Sequence, residues 1–492
     1  MRNSHLRSIM SRSDSYKGTM KNQYPKGTEI VRSYIEARGG IYAAVEFLGI
    51  QAVTQELAIP ITQAQIDFAE KVWAGNGLGD HFNREGWEYI LKEHGGKLPV
   101  IIKAVPEGTV IPTKNVLCTI ENTDPQCWWL TTWIETILLR AIWYPTTVGT
   151  KSYHIKKIIK QYLEKSGDVS GLPFKLHDFG ARGVSSAQSA EIGGAAHLVN
   201  FMGTDTIEAL PYINEVYGDP LDSIGYSIVA AEHSTITSWG REHELDAYEN
   251  MLDQFARKGS IVAVVSDSYD IYNACKMWGT SPLKEKIIAS EATLVIRPDS
   301  GDPLEVIPRM LAILAEKFGV TVNAKGYKVL NYVRIIWGDG INAQSLESIL
   351  RTMVDLHGFS ADNFAFGMGG GLLQQLDRDT HKFAMKCSAV AVREFTPTTR
   401  QLDGYYEHES KLVWRDVFKD PITDSGKTSK KGRVTLWKSG GEYVSSVIKP
   451  TGWADKAVGE WTEALVVYYE NGELPFSQTF VQVRANAEAS LV

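Results

Sequence analysis

The sequence predicts an α/β fold: an irregular βα-barrel-like central domain with a second mixed, β-rich lobe formed from the N- and C-terminal segments. Between about residue 174 and residue 371, an apolar strand runs seven times into a polar or glycine-rich turn. Helix-like stretches separate these strands, which is the pattern of parallel βα units. Both ends of the chain instead show strand and hairpin patterns, and 492 residues exceed what one compact core usually holds.

The seven predicted strands of the central domain all end in residues that can carry chemistry. In chain order they are FKLHDFG ending at Gly180, VNFMGTD at Asp205, YSIVAAEHS at Ser234, IVAVVSDS at Ser268, TLVIRPDSG at Gly301, VRIIWGDG at Gly340 and FAFGMGGG at Gly371. In parallel βα architectures, chemistry gathers at the carboxyl ends of the strands, and a late glycine-rich loop that opens a helix commonly holds a phosphate. The sequence therefore predicts an enzyme that acts on a phosphorylated sugar.

The N-terminal segment, residues 1–150, has a mixed α/β pattern. Strands are predicted over Glu29–Arg38 and Leu98–Asn122, and helices near residues 64–73 and 126–143. We expect this segment to contribute to the second lobe.

The catalytic βα-barrel-like domain is predicted over residues 151–390, and a hairpin-rich segment over residues 391–492 completes the second lobe. Its two hairpins are expected to turn at residues 439–441 and at Asn471-Gly472.

Composition and charge predict a cytoplasmic protein that binds neither nucleic acid nor membranes. Lys plus Arg number 51 against 58 for Asp plus Glu, so the net charge of −7 argues against a phosphate-backbone binder. The four cysteines show no CxxC spacing, which favours a reducing compartment, and the N-terminus has no apolar h-region. The most apolar stretch, Trp128–Pro145, is interrupted by Glu135 and Arg140 and is predicted to be a buried helix.

Two glycine-containing turns and one Arg-Asp turn are candidate ligand sites. The run Gly367–Gly371 precedes a helix, so it either binds a phosphate or serves only as a tight turn. Arg297 and Asp299 suit a carbonyl or diphosphate oxygen and a ribose diol or Mg²⁺, respectively; alternatively they lock a turn as an ion pair. Gly338 and Asp339 offer close backbone approach beside one carboxylate.

A histidine and an aromatic ring stand at two further strand ends. His233, next to Glu232 and within reach of Asp267, is either structural, a donor to a diphosphate, or a nucleophile that accepts a phosphoryl group. Phe179 is either a core residue or a ring that stacks on a flat substrate, and Arg182 can bind phosphate.

Elimination narrows the reaction class. No H-x-H pair occurs in the chain, which argues against a metal-dependent barrel hydrolase, and VVSDSYD lacks the Thr-Gly-Gly loop of first-type diphosphate-sugar transferases. A basic run that includes Lys419 and Lys427 either closes over an anionic ligand or is a solvated loop. What remains is a diphosphate-sugar transferase built on a barrel.

Several motifs together resemble the nicotinamide phosphoribosyltransferase family, in order and at similar spacing from about residue 13 to about 485. They are DSYK, HDFGARGVSSAQSAEIGGAAHLVNFMGTDT, AAEHSTITSWG, VVSDSYDIYNAC, IRPDSGDPL, GDG and FGMGGGLLQ. The resemblance implies a type II phosphoribosyltransferase fold and a homodimer with active sites at the interface, to which residues 1–150 contribute. It also implies a pentosyltransferase of NAD salvage that, with Mg²⁺, makes nicotinamide mononucleotide and diphosphate from nicotinamide and phosphoribosyl diphosphate.

The resemblance also implies a nicotinamide pocket. Phe179 would stack on one face of the ring and Tyr16 of the partner subunit on the other. Asp205 would accept from the carboxamide NH₂, and Arg297 would reach the amide oxygen or the diphosphate. An acceptor aimed at that NH₂ would repel the carboxylate of nicotinate.

Further positions would bind the sugar and its phosphates. Asp299, Gly338 and Asp339 belong to the ribose side of the site. The residues implied to hold the 5′-phosphate are Gly369, Gly370, Arg378 and Lys386, with Arg38 of a partner chain. Those implied to surround the diphosphate are Arg182, His233, Lys419 and Lys427.

Family members couple the reaction to ATP by phosphorylating the histidine that matches His233, which Glu232 and Asp267 would orient. Two other functions stay open: a nicotinate-using relative and a non-catalytic ligand-binding protein. The chain also departs from the family pattern at Ala181 and Met368 and by about a dozen extra residues within roughly 394–414.

Overall fold

The chain folds into two compact units. The structure, a computed structural model, describes residues 6–400, 406–447 and 460–491. Residues 1–147 and 377–490 form the terminal unit, and residues 148–376 form the central unit. No helix in these described ranges is long and apolar enough to cross a membrane.

Short strands and helices alternate in the N-terminal part of the terminal unit. The strands are β1 (Thr28–Ala37), β2 (Ala44–Glu46), β3 (Val100–Ala104), β4 (Val110–Pro112) and β5 (Val116–Asn122). The helices are α1 (Lys17–Met20), α2 (Ile50–Leu57), α3 (Gln63–Gly75), α4 (Arg84–Glu93), α5 (Leu130–Trp133) and α6 (Glu135–Ser166), the last of which continues into the central unit. The predicted strands and helices of this segment are confirmed, and the long strand region is divided into β3, β4 and β5.

The tryptophan-rich stretch is buried, as its sequence predicts. The Trp133 side chain is 2% exposed, and its ring centroid lies 5.4 Å from that of the buried Trp87 in an edge-to-face arrangement. Trp129 packs on Trp87 at 4.8 Å in the same manner. Large aromatic side chains therefore fill the core of this unit rather than facing lipid.

Strands and helices alternate regularly in the central unit. Its strands are β6 (Leu176–Asp178), β7 (Gly203–Thr204), β8 (Val229–Ala230), β9 (Ile261–Val265), β10 (Thr293–Arg297), β11 (Val320–Val322), β12 (Lys328–Leu330), β13 (Val333–Trp337) and β14 (Phe364–Met368). Its helices are α7 (Ala187–Leu198), α8 (Ala209–Tyr217), α9 (His233–Thr237), α10 (Glu244–Phe255), α11 (Ile271–Trp278), α12 (Leu283–Ser290), α13 (Pro303–Phe318), α14 (Ala343–Arg351) and α15 (Gly370–Leu373).

Seven of these strands form one parallel sheet in the order β7-β6-β14-β13-β10-β9-β8. The two edges of the sheet meet near Tyr226, which bridges Gly203 of β7 shortly before β8 begins. The sheet is therefore strongly curled, which confirms the prediction of a barrel-like α/β domain. Strands such as β9 are continuous apolar runs because both of their faces are covered.

The strand predicted from VNFMGTD is much shorter than the sequence suggests. Helix α7 extends to Leu198, and Asn200 and Phe201 donate backbone hydrogen bonds to the carbonyl of His197. Only Gly203 and Thr204 remain for pairing with β6.

The C-terminal part of the terminal unit completes an antiparallel sheet. Its strands are β15 (Phe383–Arg400), β16 (Tyr406–Asp416), β17 (Thr435–Ser439), β18 (Glu442–Ser446), β19 (Thr462–Glu463) and β20 (Val466–Glu470), and its helix is α16 (Phe480–Ala489). The six-stranded sheet has the order β16-β15-β1-β5-β3-β20. Of the extra residues between about 394 and 414, those at 394–400 lie in β15 and those at 406–414 lie in β16, and the two strands pair with each other; residues 401–405 lie outside the described residues.

Of the two predicted C-terminal hairpins, one is correct and one is wrong. Strands β17 and β18 pair across residues 440–441 as predicted. The chain does turn at Asn471 and Gly472, which both have positive φ, and Glu470 pairs with Glu473 across the turn as a single antiparallel bridge; in the described residues 473–491 no second strand follows. Pro475 removes a backbone donor at the point where the return strand would begin. The backbone N–H of Gln478 instead donates to the side-chain oxygen of Gln51 at 2.7 Å.

Candidate functional site

Phe179 lies in a tight turn directly after β6. Its backbone N–H donates to the carbonyl of Met368 at 3.0 Å, and the N–H of Gly180 donates to Oδ1 of Asp178 at 2.7 Å. A Cβ at Gly367 would lie only 1.9 Å from Cε2 of the Phe179 ring. The first glycine of the run therefore gives space to the aromatic ring and is not needed for an anion.

The ring of Phe179 forms part of the interior of the curled sheet. It packs against a small buried cluster of Ala263, Val295 and Ile336, contributed by three strands. A Cβ at Gly338 would lie 3.4 Å from the ring and 3.6 Å from Oδ1 of Asp299. The Phe179 ring, after β6, and the carboxylate of Asp299, after β10, thus both lie close to Gly338 at the end of β13, which suits a flat polar ligand.

The carboxylate of Asp267 connects the ends of three strands. Its Oδ1 lies 3.0 Å from Nε2 of His233, and its Oδ2 accepts from the N–H of Asp299 at 3.1 Å and from Oγ of Ser300 at 2.5 Å. Burial acts to raise the pKa of Asp267, but these hydrogen bonds outweigh it and the pKa lies below its ordinary value. Asp267 is therefore an anion that fixes both the imidazole and the loop of Asp299.

Asp299 lies among charges of both signs. Burial raises its pKa; the charges of Asp267 and Asp339 raise it further, while Arg297 and His233 oppose the rise. The structure thus brings together predicted catalytic residues from three strand ends and the predicted ribose-side residue Asp339 from a fourth. Among the described residues, buried Arg297 Nε and Ser268 Oγ have no hydrogen-bond partner, so both can bind a ligand.

The carboxylates of Asp299 and Asp339 suit a magnesium ion whose remaining ligands would come from a bound substrate. Asp299 and Asp339 offer the hard oxygen ligands that Mg²⁺ prefers. Within the described ranges, the one group of three candidate ligands with atoms within 4.8 Å of one another is elsewhere, at His94, Asp124 and Cys127. Mg²⁺ at the strand ends stays a prediction; Asp299 and Asp339 would hold the ion together with oxygen atoms of the substrate.

Asp205 stands at the end of β7 with its side chain exposed. Its backbone N–H donates to the carbonyl of Asp178 at 2.9 Å, and its Oδ1 accepts from Oγ of Ser227 at 2.5 Å. The second carboxylate oxygen, Oδ2, remains available as an acceptor for a ligand N–H.

The glycine loop after β14 adjoins the loop that carries Arg182. A Cβ at Gly183 would lie 3.2 Å from the backbone nitrogen of Gly370, and the N–H of Ser185 donates to Oε1 of Gln374 at 3.2 Å. The Arg182 side chain is exposed, and the space above Gly370 is open. The backbone of the loop that carries Arg182 therefore lies next to the first turn of α15.

In the terminal unit, four predicted phosphate-binding residues form a group of positive charges. Burial lowers the pKa of Lys386; Glu135 opposes this, and the positive charges of Arg38, Lys419 and Arg378 lower it further. Mutual repulsion of this kind is relieved when an anion binds between the cations. Arg38 joins this group within a single chain, whereas the resemblance assigns it to the partner's site.

Two further predicted site residues belong to the terminal unit. Lys427 is exposed and pairs with Asp424 at 3.4 Å. Tyr16 has a side chain that is 58% exposed, with Nζ of Lys17 at 5.1 Å from its ring centroid. Their ligand contacts stay predictions.

Among the described residues, the Glu232 side chain makes no hydrogen bond to His233, and its orienting role stays a prediction. Glu232 is exposed and precedes α9, where its backbone N–H donates to Oγ1 of Thr235 at 3.3 Å. Among the described residues, Asp267 rather than Glu232 is hydrogen-bonded to His233. Sequence reasoning also missed Ser227 and Ser300, because a serine hydroxyl has no sequence signal until folding places it against a carboxylate.

Comparisons with known proteins agree with this geometry. The sequence profile of the nicotinate phosphoribosyltransferase (NAPRTase) family matches residues 174–397, and that of the nicotinamide phosphoribosyltransferase N-terminal domain matches residues 8–102. A nicotinamide phosphoribosyltransferase of Xanthomonas campestris pv. campestris is 52% identical, covering 99% of both chains. One from Acinetobacter baylyi is 30% identical, covering 96% of this chain and 95% of its own.

Solved structures show the same fold at low identity. A nicotinate-nucleotide pyrophosphorylase from Pyrococcus furiosus superposes with a TM-score of 0.61 at 15% identity, covering 99% of this chain and 96% of its own. Human nicotinic acid phosphoribosyltransferase gives a TM-score of 0.54 at 15% identity, covering 97% of this chain and 93% of its own. The fold class predicted from the sequence is confirmed.

Replacing Asp178 should change how stability depends on pH. Burial raises the pKa of Asp178 to about 6, and Asp205 and Glu208 add to the rise. Because the pKa of this carboxyl is higher in the native protein than in the unfolded chain, the free energy of unfolding falls as pH rises through the native pKa. Urea unfolding gives the free energy of unfolding of both proteins. Between pH 5 and 7.5, the free energy of unfolding of the wild type should fall by about 1.4 kcal/mol relative to that of Asp178→Asn.

The control is Asp222→Asn, which changes an exposed acid of the same unit. Its stability difference from the wild type should stay constant with pH. An Asp178→Asn difference that is equally constant would show that Asp178 titrates normally in the native state.

Proposed function

Because the chain belongs to the nicotinamide phosphoribosyltransferase family, we propose that it converts nicotinamide and phosphoribosyl diphosphate into nicotinamide mononucleotide and diphosphate, within NAD salvage. The observation that carries this proposal is the curled parallel sheet, whose strand ends bring the Phe179 ring beside the carboxylate of Asp299. A flat base and a ribose require this pair of surfaces next to each other.

The nicotinamide ring would lie against Phe179, and its carboxamide NH₂ would donate to Asp205. Ser227 holds one oxygen of that carboxylate at 2.5 Å, which leaves the other to receive the amide. Nicotinate would place a negative carboxylate against Asp205 and be repelled, which gives the choice of nicotinamide a physical cause.

The transfer step requires neutralisation of the leaving group more than a strong base. As the bond from the anomeric carbon to the diphosphate oxygen breaks, positive character develops on that carbon, and the pyridine nitrogen supplies the electron pair of the new C–N bond. Arg297 and Arg182, with Lys419 and Lys427, would bind the diphosphate oxygens and so stabilise the negative charge that forms.

The sugar would be held on its hydroxyl side by Asp299 and by the backbone at Gly338. Asp299 and Asp339 would also hold Mg²⁺, which supplies positive charge to the diphosphate when bound. For the 5′-phosphate we assign Gly369 and Gly370 in the central unit. In the terminal unit we assign the cationic group of Arg38, Arg378 and Lys386.

We further propose a cytoplasmic homodimer in which the partner subunit supplies Tyr16 to the base. The exposed Tyr16 ring and four cysteines free of disulfides support this proposal. Sedimentation velocity that finds only monomers at micromolar concentration would exclude the shared site.

His233 is proposed to couple ATP hydrolysis to the reaction. Asp267 accepts from Nε2–H, so Nδ1 carries the lone pair that can attack the γ-phosphorus of ATP. The N–P bond forms as the bond to ADP breaks. Water later cleaves the phosphohistidine.

We expect His233→Ala to reduce the stimulation by ATP more than it reduces the rate measured without ATP, because His233 accepts the phosphoryl group and also lies beside the diphosphate. The matched control is His243→Ala, an exposed histidine whose Nδ1 pairs with Asp246 at 2.7 Å. The assay is production of nicotinamide mononucleotide with and without ATP. Equal losses in both assays would refute the phosphohistidine.

Substitution Asp205→Asn should relax the choice between the two bases, because it removes the charge that repels nicotinate. The kcat/KM for nicotinate should rise about tenfold and that for nicotinamide should fall by a similar factor, a change of about 1.4 kcal/mol each. Both mononucleotides are quantified by chromatography, with Asp222→Asn as the control. If the wild type already prefers nicotinate, the alternative function of a nicotinate phosphoribosyltransferase is correct.

A further inference from the structure

Lys151 is a half-buried lysine whose ammonium group faces backbone carbonyls. It lies on the part of α6 that belongs to the central unit. Its Nζ lies 2.6 Å from the carbonyl oxygen of Gly371 and 3.3 Å from that of Gln375. Burial lowers the pKa of Lys151 to about 8. Among the described residues, no acidic side chain pairs with it.

The two carbonyls that Lys151 binds belong to the segment that forms the glycine loop. Helix α15 is a single turn over Gly370–Leu373, held by a hydrogen bond from the N–H of Gln374 to the carbonyl of Gly370 at 2.9 Å. One turn of helix with three consecutive glycines has little stability of its own, because glycine loses the most backbone entropy on ordering. Contacts from residues outside the turn must therefore stabilise its helical conformation.

A lysine at position 151 is well suited to stabilising the turn α15. Its charge lies at the carbonyl side of the turn, where the helix dipole is negative, so the attraction stabilises the turn. Lys151 binds the carbonyls of Gly371 and Gln375 from one side of the turn. Among the described residues, the N–H groups of Gly370 and Gly371 have no hydrogen-bond acceptor and can face a ligand, whereas those of Leu372 and Leu373 donate to the carbonyl of Gly369.

We propose that Lys151 is a positioning residue for the sugar 5′-phosphate, which fixes the Gly369–Gly371 loop in its phosphate-binding conformation from behind. The inference rests on the proposed function, in which this loop binds the phosphate. Lys151 does not contact the substrate; it acts through the backbone of the loop. Loss of Lys151 should therefore weaken binding of phosphoribosyl diphosphate, and nicotinamide binding should not change.

The test compares Lys151→Met with the wild type in steady-state kinetics. The KM for phosphoribosyl diphosphate should rise about tenfold or more, as expected when hydrogen bonds to a charged group are lost. We expect kcat and the KM for nicotinamide to stay within about threefold. Lys151→Arg keeps the charge and the donors, so it should recover most of the affinity. Lys157→Met, which removes an exposed lysine of the same helix, is the control.

Direct titration of phosphoribosyl diphosphate by calorimetry checks the same loss without turnover. An unchanged KM and binding constant, or an equal loss for both substrates, would overturn the role of Lys151. If Lys151→Met does not fold, Lys151→Gln is measured in the same way. If the wild type turns over nicotinamide and Lys151→Met binds phosphoribosyl diphosphate as tightly as the wild type does, this inference alone is overturned. A wild type that neither binds nor turns over phosphoribosyl diphosphate overturns the proposed function, and this inference with it.

Discussion

The site depends on one carboxylate, that of Asp267. It lies at the end of β9 and binds His233, which follows β8, and the backbone of Asp299 and hydroxyl of Ser300, which follow β10. Parallel strands alone place these residues at the same edge of the sheet, but they do not fix the side chains. Because Asp267 is ionised and half-buried, its hydrogen bonds are charge-assisted and orient both neighbours before any ligand arrives. The proposed phosphoryl acceptor, His233, and the proposed sugar-binding carboxylate, Asp299, are thereby held in one network.

The glycine run shows how one motif can serve two purposes. Gly367 is needed because the Phe179 ring occupies the space of its side chain, whereas Gly370 faces open space and can approach an anion. The ring and the phosphate loop are also joined through backbone, since the N–H of Phe179 donates to the carbonyl of Met368 between them. The proposed base-stacking ring and the proposed phosphate loop are therefore connected through backbone, and Lys151 binds the carbonyls of Gly371 and Gln375.

Much of this arrangement could be predicted from the sequence. Seven apolar runs that end in polar turns predict a parallel sheet with its chemistry at one edge, and those turns supply His233, Asp267, Arg297 and Asp299. What the sequence could not show depends on tertiary contacts. Ser227 and Ser300 matter only because folding places them against carboxylates. The predicted return strand after β20 does not form, because Gln478 makes tertiary contacts that outweigh the local turn signal. The role of Gly367 required the position of a ring nearly two hundred residues earlier in the chain.

The most direct test of the proposed function is a product assay with the purified wild-type protein, phosphoribosyl diphosphate and Mg²⁺. Nicotinamide and nicotinate are offered at equal concentration, and both mononucleotides and diphosphate are quantified. Stacking on Phe179 and amide recognition by Asp205 predict nicotinamide mononucleotide as the dominant product, formed in equal amount with diphosphate. Formation of nicotinate mononucleotide instead would contradict the role given to Asp205. Absence of both products would contradict the account of the site as a phosphoribosyl-transfer centre.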